Sequence, residues 1–346
     1  MANRQQKKCN KFALVLTSLL ILASCNRPTS SIESDLQAKV DSLLQLKISE
    51  INAISGQAIV MDMAGNIKVM VSNGQKQPSS LMRVVSIHEA LATENVHLSD
   101  TVDTEKGIII INGDTIKDHN WHRGGYGKLT TLQGLMVNSH IANYKNIERA
   151  FTEEQAYFDM LNKMSYGQPE NIEGLDSLKA AYFVTPNDSG WSNTSLAWFC
   201  IGYNQRTSPI QMLTFYNAIA NDCKMVKPTL YKGETEIINP QIASKANIDS
   251  LQMALVKVVT EGLGKPAQSE KVQVAGVSGG CQISTEEDNS EGKMNTKYSV
   301  EYCGYFPAEN PKYSIIVSMN KVGLPASGNL MAGSVFSEIV DYMVAK

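Results

Sequence analysis

Patterns typical of β-strands occur near both ends of this chain, and helical patterns fill the region between them. The segment QAIVMDMAGNIKVMVS, at 57–72, has two apolar runs around a short Ala-Gly-Asn turn, which predicts a β-hairpin. Further strands are predicted at 271–284, 296–306 and 312–319. Strands from both ends of the chain, with helices between them, predict an α+β fold with one largely antiparallel sheet and a helical subdomain.

Apolar residues recur at helical spacing in several segments. The first helix is predicted to run to about residue 52, and Ser30 and Glu33 have the spacing of a capping box at its start. Its apolar face comprises Ile32, Leu36, Val40, Leu43 and Leu44. Other helices are predicted at 80–93, 131–150, 152–164, 207–222, 246–264 and 329–345. No linker composition divides 31–346, which predicts one domain over this range.

The N-terminal segment has the features of a secretory leader. Three lysines precede an apolar run at 12–22 that is too short to span a bilayer, and the run ends in LASC. This ending resembles the lipobox of bacterial lipoproteins, although a plain secretory signal with a chance cysteine stays an alternative. The resemblance predicts a signal peptide at 1–24 and, at 25–30, a lipidated Cys25 with a short tether. Such a protein would be anchored on the periplasmic side of the inner or outer membrane.

The net charge and the cysteine and histidine spacings bear on nucleic-acid binding, disulfide formation and metal binding. The net charge of −3 without a basic stripe predicts no nucleic-acid partner. Cys200, Cys223, Cys281 and Cys303 follow the leader at spacings that fit no zinc site. Buried free thiols are the favoured interpretation, and a Cys281–Cys303 disulfide is the alternative because both residues fall on strands predicted to be neighbours. His119 and His122 have no evident third ligand, so no metal is predicted, and no cofactor either.

Five separated segments, in order, resemble the transpeptidase domains of penicillin-binding proteins, above all class B enzymes of the division and elongation type. They are GQAIVMDMAGNIKVMVS, PSSLMR, INGDTIKDHNWHRGGYGKLTTLQGLMVNSHIANYKNI, IGYNQRTSPIQMLTFYNAIANDCKMVKPTL and YFPAENPKYSIIVSMN. The resemblance implies the penicillin-binding and β-lactamase-like serine transferase fold. It also implies a serine that attacks the carbonyl of a D-Ala-D-Ala peptide or a β-lactam, with three motifs, Ser-x-x-Lys, Ser-x-Asn and Lys-Thr-Gly.

The first motif corresponds to Ser80-Leu81-Met82-Arg83. The resemblance makes Ser80 the nucleophile position, and Arg83 replaces the lysine that must accept or relay a proton. A guanidinium stays protonated at physiological pH, so Arg83 keeps the charge but cannot act as a base.

The second motif is aligned with Ser139-His140-Ile141. Ser139 retains a hydroxyl, whereas Ile141 replaces the asparagine and can neither donate nor accept a hydrogen bond. His140 occupies the variable middle position. A role for His140 as a replacement base is a less favoured alternative, because the family geometry would direct it away from Ser80.

The third motif lies in VQVAGVSGGCQI, where Val277-Ser278-Gly279 stands for Lys-Thr-Gly. Ser278 can supply the threonine hydroxyl, but Val277 cannot supply the cation. The backbone N–H groups of Ser80 and Gly280 are the predicted oxyanion donors.

One replacement in each motif predicts a pseudoenzyme with a binding, regulatory or scaffolding role in peptidoglycan synthesis or cell division. One alternative is an active or slowly acylating serine D,D-transpeptidase that uses Ser80. A third is a module for a ligand unrelated to peptidoglycan, held in a cleft that Val277 and Ile141 make more apolar. The predicted partners are peptidoglycan stem peptide or a β-lactam, cell-wall synthases or division proteins, and the membrane through the lipid.

Overall fold

The computed structural model of the chain describes residues 29–72, 77, 79–176, 178–288 and 293–346. The predicted signal peptide and the predicted lipidation site at Cys25 lie outside the described residues. Within these ranges, none of the helices has the length and apolar character needed to cross a membrane.

The described ranges contain both α-helices and β-strands, with the longest strands near the two ends of the chain. The helices are α1 (Ser34–Glu50), α2 (Met82–Ala92), α3 (Thr131–Met136), α4 (His140–Ala150), α5 (Glu154–Lys163), α6 (Ser195–Phe199), α7 (Pro209–Ala220), α8 (Lys245–Thr260) and α9 (Ser334–Val344). The strands are β1 (Ala53–Asp62), β2 (Ile67–Val71), β3 (Thr101–Asp103), β4 (Ile108–Ile111), β5 (Asp114–Lys117), β6 (Lys128–Thr130), β7 (Tyr182–Phe183), β8 (Gln205–Arg206), β9 (Met225–Val226), β10 (Ile237–Asn239), β11 (Ala275–Asp288), β12 (Lys293–Phe306) and β13 (Tyr313–Val322).

A five-stranded sheet has the order β11-β12-β13-β1-β2, and every neighbouring pair is antiparallel. The predicted antiparallel sheet built from both ends of the chain is therefore confirmed. Sequence analysis missed four two-stranded ribbons, β3-β6, β4-β5, β7-β8 and β9-β10. Strands of two to four residues carry too few alternations to reveal a period of two. Strand β11 lies at one edge of the main sheet, which matters for the site below.

Both faces of the five-stranded sheet are buried. Successive residues of a strand point to opposite faces, so they belong to two different core clusters. Ile59 of β1 and Cys303 of β12 lie in a core cluster shared with α2, α7 and α8. Their neighbours Val60 and Tyr302 lie in a second cluster shared with α1 and α9. The sheet thus separates a large helical subdomain from a thinner layer formed by the first and last helices.

The predicted face of α1 is buried at Leu36, Val40, Leu43 and Leu44, but the predicted capping box is wrong. Glu33 occupies the N-cap position, and no side chain caps the helix there. Ser30 instead forms an isolated β-bridge with Tyr231, which keeps the preceding segment extended. Ile32 consequently precedes the helix and packs against the other core cluster.

The disulfide considered as an alternative is contradicted by the strand register. Strands β11 and β12 are neighbours as predicted, but Cys303 pairs with Val277 and Cys281 pairs with Ser299. The two cysteines are four positions apart along the ladder, a separation of roughly 13 Å at about 3.4 Å per residue. A disulfide needs Cα atoms within about 7 Å. All four cysteines in the described ranges are buried free thiols.

Glu89 lies on the buried face of α2, and burial raises the pKa of its carboxyl well above 4.5. The folded chain therefore keeps a proton that the unfolded chain loses above about pH 4.5, so the unfolding free energy falls as the pH rises toward the folded pKa. Each unit between the two pKa values contributes about 1.4 kcal/mol. We expect Glu89→Gln to flatten this pH dependence and to be more stable than the unsubstituted chain at pH 8.

Urea unfolding at several pH values between 5 and 8 measures the effect. Glu94→Gln, at an exposed position just beyond α2, is the matched control and should keep the slope of the unsubstituted chain. Identical slopes for Glu89→Gln and the unsubstituted chain would contradict the prediction.

Candidate active-site cleft

Ser80 lies in the tight turn that leads into α2 and is only 1% exposed. The turn is held by Gly202, whose carbonyl accepts a hydrogen bond from Ser79 N at 3.2 Å. Gly202 has a φ of +107°, and a Cβ built on it would lie 2.1 Å from the Ser79 carbonyl oxygen. Only glycine permits this close approach. The position of Ser80 thus depends on a residue more than a hundred positions away.

The Ser80 hydroxyl contacts the edge strand β11 through Gly280. Its oxygen accepts a hydrogen bond from Gly280 N at 2.6 Å and lies 3.1 Å from the Gly280 carbonyl oxygen, to which it donates. Sequence analysis assigned Gly280 N–H to the oxyanion hole. In the structure that donor is engaged by the hydroxyl of Ser80 itself.

Arg83 extends from α2 toward the second and third motif segments and is 5% exposed. Its Nη1 donates to the Asn138 carbonyl and its Nη2 to the Ser278 carbonyl, both at 3.2 Å. Its Nε has no hydrogen-bond partner in the described ranges, where Arg83 also forms no salt bridge. Burial lowers the pKa of Arg83, yet a guanidinium remains protonated in proteins. One buried cation therefore joins α2 to both other motif segments.

In the second motif segment the buried residues and the cleft-lining residues alternate. The predicted helix at 131–150 is broken between α3 and α4, and Ser139 caps α4 by accepting from Ala142 N at 3.0 Å. The Ser139 hydroxyl donates to Asp118 Oδ2 at 2.7 Å, and Ile141 is 0% exposed in the core. Neither Ser139 nor Ile141, both predicted as site residues, lines the main cleft, and Ser139 borders a small pocket next to it together with Arg83.

The residues that line the cleft in their place are Asn138 and His140. Asn138 has a φ of +57°, a left-handed conformation that asparagine tolerates better than most residues. Its Nδ2 donates to Ser278 Oγ at 2.8 Å. The sequence signal was a serine followed by apolar Ile141, which is the pattern of an N-cap and a buried first turn. With Ser139 as the N-cap and Ile141 in the core, Asn138 and His140 are left to line the cleft.

Two histidines form part of the same wall. Burial, followed by the positive charge of Arg83, lowers the pKa of His140 to about 3. Burial also lowers the pKa of His119, whose Nε2 lies 3.0 Å from the Tyr126 hydroxyl. His122 pairs instead with Arg123, and no cluster of three or more metal-binding side chains occurs in the described part of the chain. At neutral pH both wall histidines are uncharged.

The third motif segment divides between the core and the cleft. Val277 is 1% exposed and lies in the core beneath the helical subdomain, so the prediction that it lines the site is corrected. Ser278, Gly279 and Gly280 do line the cleft, as the sequence predicted. The alternation along β11 explains the division, because Val277 and Ser278 point to opposite faces.

Together these residues enclose a cleft of about 510 Å³ between the edge of β11, the start of α2 and the segment that precedes α9. Leu263, Pro266 and Leu330 give it an apolar wall. Among the described lining residues Arg83 is the one charged side chain. A concave, mostly apolar cleft with a few polar groups is the usual form of a ligand site.

Sequence analysis missed a buried carboxyl beneath the Ser80 turn. Glu301 of β12 is bonded by the Ser79 hydroxyl and, at 3.2 Å, by Gln77 Nε2, which also donates to Ser299 Oγ at 2.8 Å. Burial raises the pKa of Glu301, and the bonds from Ser79 and Gln77 partly offset this. The available signal was a single glutamate within the apolar strand sequence YSVEYCGYF. The network fixes the Ser80 turn on the sheet.

Comparisons with known proteins identify the family of this chain. The chain matches a family model described as the penicillin-binding protein transpeptidase domain over residues 42–341. It is 26% identical over 292 residues to penicillin-binding protein PbpB of Mycolicibacterium smegmatis, which covers 78% of this chain and 43% of that protein. It is 22% identical over 331 residues to peptidoglycan D,D-transpeptidase FtsI of Escherichia coli, covering 89% and 54%. The chain thus spans about half the length of these curated relatives.

Solved structures show the same fold. The transpeptidase domain of Burkholderia pseudomallei penicillin-binding protein 3 superposes with a TM-score of 0.79 at 24% identity, covering 92% of this chain and 96% of that one. Penicillin-binding protein 3 of Mycobacterium tuberculosis, solved in complex with aztreonam, gives a TM-score of 0.77 at 21% identity and covers 92% and 78%.

Proposed function

This chain belongs to the family of penicillin-binding protein transpeptidase domains, and we propose that it is a non-catalytic member that uses the cleft to bind rather than to cleave. Similarity to the PbpB and FtsI relatives places it in the class B branch expected from the sequence. The observation that carries the proposal is Arg83, the residue at the proton-transfer position. It cannot accept a proton, and its terminal nitrogens donate to two backbone carbonyls.

The surroundings of Ser80 support the same conclusion. Acyl transfer needs a base that takes the serine proton and a free donor pair for the oxyanion. The Ser80 hydroxyl is hydrogen-bonded to both the N–H and the carbonyl of Gly280. The nucleophile position therefore occupies one of the two predicted oxyanion donors. His140, the alternative base, lines the cleft, but its Nδ1 lies 3.3 Å from the Lys117 carbonyl.

A role outside the cytoplasm completes the proposal. We take Cys25 as a lipidated anchor, which would hold the domain on the periplasmic side of a bacterial membrane. There it would meet peptidoglycan and the synthases or division proteins that act on it. The names of two relatives support these partners, because one is a penicillin-binding protein and the other a peptidoglycan D,D-transpeptidase. A regulatory or scaffolding role beside such enzymes fits a domain that retains the fold without the base.

We expect no covalent adduct on Ser80 when the full chain, extracted from membranes, is incubated for hours with a fluorescent penicillin. Loss of the base leaves at most a residual acceleration of about 10³–10⁴ over water. Intact-mass and peptide mass spectrometry detect the adduct, and the same spectra report whether the chain begins at an acylated Cys25. An unmodified Cys25 would remove the proposed anchor.

The control is Ser80→Ala, together with an active penicillin-binding protein labelled in the same tube. An adduct that forms on the unsubstituted chain and disappears in Ser80→Ala would favour the slowly acylating alternative.

A further inference from the structure

The first described residues are attached to the edge of the sheet that lies opposite the cleft. Ser31 Oγ donates a hydrogen bond at 2.8 Å to the carbonyl of Ile67, the first residue of the edge strand β2. The backbone of Ser31 donates to the Leu230 carbonyl, and the Thr29 carbonyl accepts from Lys232 N, both at 2.8 Å. The chain therefore enters the domain beside β2.

The cleft lies at the other edge of the same sheet, along β11. Its other walls are on that side too, since Arg83 donates to the Ser278 carbonyl and a Cβ on Gly328 would lie 2.3 Å from the Gly279 carbonyl oxygen. Four strand spacings separate β2 from β11. At about 4.8 Å for each spacing, the entry point and the cleft are roughly 20 Å apart across the sheet.

The predicted lipidation site is close to this entry point in sequence. Four residue steps lead from Cys25 to Thr29. At about 3.6 Å for each step they span at most about 14 Å. With the cleft against the bilayer, Thr29 would be raised by roughly the 20 Å width of the sheet, which exceeds this reach. An acylated Cys25 thus excludes that orientation.

The surface around the entry point, which we call the entry surface, comprises residues 29–34 and 227–237. Its charged side chains are of both signs, and they are Glu33, Lys227, Lys232, Glu234 and Glu236. The large apolar side chain of Ile237 is 51% exposed there. A surface of mixed charge is neither held nor expelled strongly by anionic headgroups, so the short connection to the lipid decides how near it lies.

We propose that the entry surface faces the lipid bilayer and that the cleft opens away from it. This inference rests on the proposed lipid anchor at Cys25. It places the cleft within roughly 35 Å of the bilayer surface, because the connection and the width of the sheet set the greatest height. An occupant of the cleft must therefore come this close to the membrane that holds the anchor.

Energy transfer to an acceptor-labelled lipid measures the orientation. The full acylated chain is added to preformed vesicles of phosphatidylethanolamine and phosphatidylglycerol that carry the acceptor in the outer leaflet. A maleimide donor is attached at Lys232→Cys, on the entry surface, or at Leu330→Cys, on the cleft wall, where the leucine is 65% exposed. The four cysteines in the described part of the chain are buried and should react slowly.

We expect transfer from Lys232→Cys to be about twofold or more greater than from Leu330→Cys, because the two positions differ in height by roughly the width of the sheet. The matched control has twenty Gly and Ser residues inserted between Arg27 and Pro28. A flexible linker of that length spans about 25 Å, so the domain can turn over and the two transfer efficiencies should converge.

The outcomes separate this inference from the anchor on which it rests. Equal transfer from both positions with the natural connection, or greater transfer from Leu330→Cys, would overturn the inference while the anchor stands. The Cys25→Ala chain should show no transfer from either position. An unsubstituted Cys25 chain that also fails to bind the vesicles would overturn the anchor, and the inference with it.

Discussion

Ile141→Asn is expected to destabilise the fold by about 3 kcal/mol or more, whereas His140→Asn should change the unfolding free energy by less than about 1 kcal/mol. Ile141 is completely buried in the core, where an amide would lose apolar contacts and leave its own polar atoms without partners. His140 lies on the cleft wall, where the amide of asparagine can be accommodated.

Urea unfolding of the two variants measures the difference. Each substitution introduces the asparagine of the Ser-x-Asn motif, one at the position aligned from the sequence and the other at the neighbouring position that lines the cleft. The pair is therefore its own control. A stable Ile141→Asn, or a His140→Asn that unfolds, would favour the frame that starts at Ser139 over the one that starts at Asn138.

Placing the family's lysine, serine and asparagine at positions that line the cleft is expected to restore acylation of Ser80. The variant combines Arg83→Lys, Asn138→Ser and His140→Asn. The shorter lysine at position 83 would vacate the volume next to the Ser278 carbonyl, to which the guanidinium now donates. With a proton acceptor again available, labelling of Ser80 by fluorescent penicillin should accelerate by about 10³-fold or more.

The measurement is the rate of adduct formation by mass spectrometry, with circular dichroism to show that the variant folds. Ser80→Ala in the restored chain must abolish the adduct. A variant with Asn138→Ser and His140→Asn that keeps Arg83 is the matched control and should stay unlabelled, because it still has no proton acceptor. A folded but inert restored variant would show that the groups at these positions are not what limits acylation, and the burial of Ser80 would then be the next candidate.

The long strands and the helix faces could be predicted because each carries a period over many residues. Strands β11 and β12 even extend beyond the predicted ends, to Asp288 and from Lys293, into a segment whose charges hide the strand pattern. The short ribbons were missed for the opposite reason. Pairing register is set by contacts between strands, so the sequence could place Cys281 and Cys303 on neighbouring strands but not four positions apart.

Site residues could be predicted from the sequence only where the residue with the expected functional group also lines the cleft. Arg83, Ser278, Gly279 and Gly280, which the resemblance singled out, line one cleft, and Ser80 contacts Gly280. In the second motif the search for a hydroxyl selected Ser139, whereas the geometry is set by where α4 begins. That start depends on Asp118, which binds the Ser139 hydroxyl and, at 3.2 Å, Ile141 N from another part of the chain. A carboxylate that acts from so far away in sequence cannot be inferred from spacing.

The two carbonyl contacts of Arg83 have a mechanical consequence. A single side chain links α2 to the backbone at Asn138 and to the edge strand at Ser278, so it connects the helical subdomain to the sheet across one end of the cleft. Any occupant that competes for those N–H donors loosens this link. Thermodynamic linkage then requires the reverse effect. A partner that widens or narrows the cleft by binding outside it would change the affinity of the cleft for its ligand. Occupancy and shape would be coupled here without any bond being made or broken.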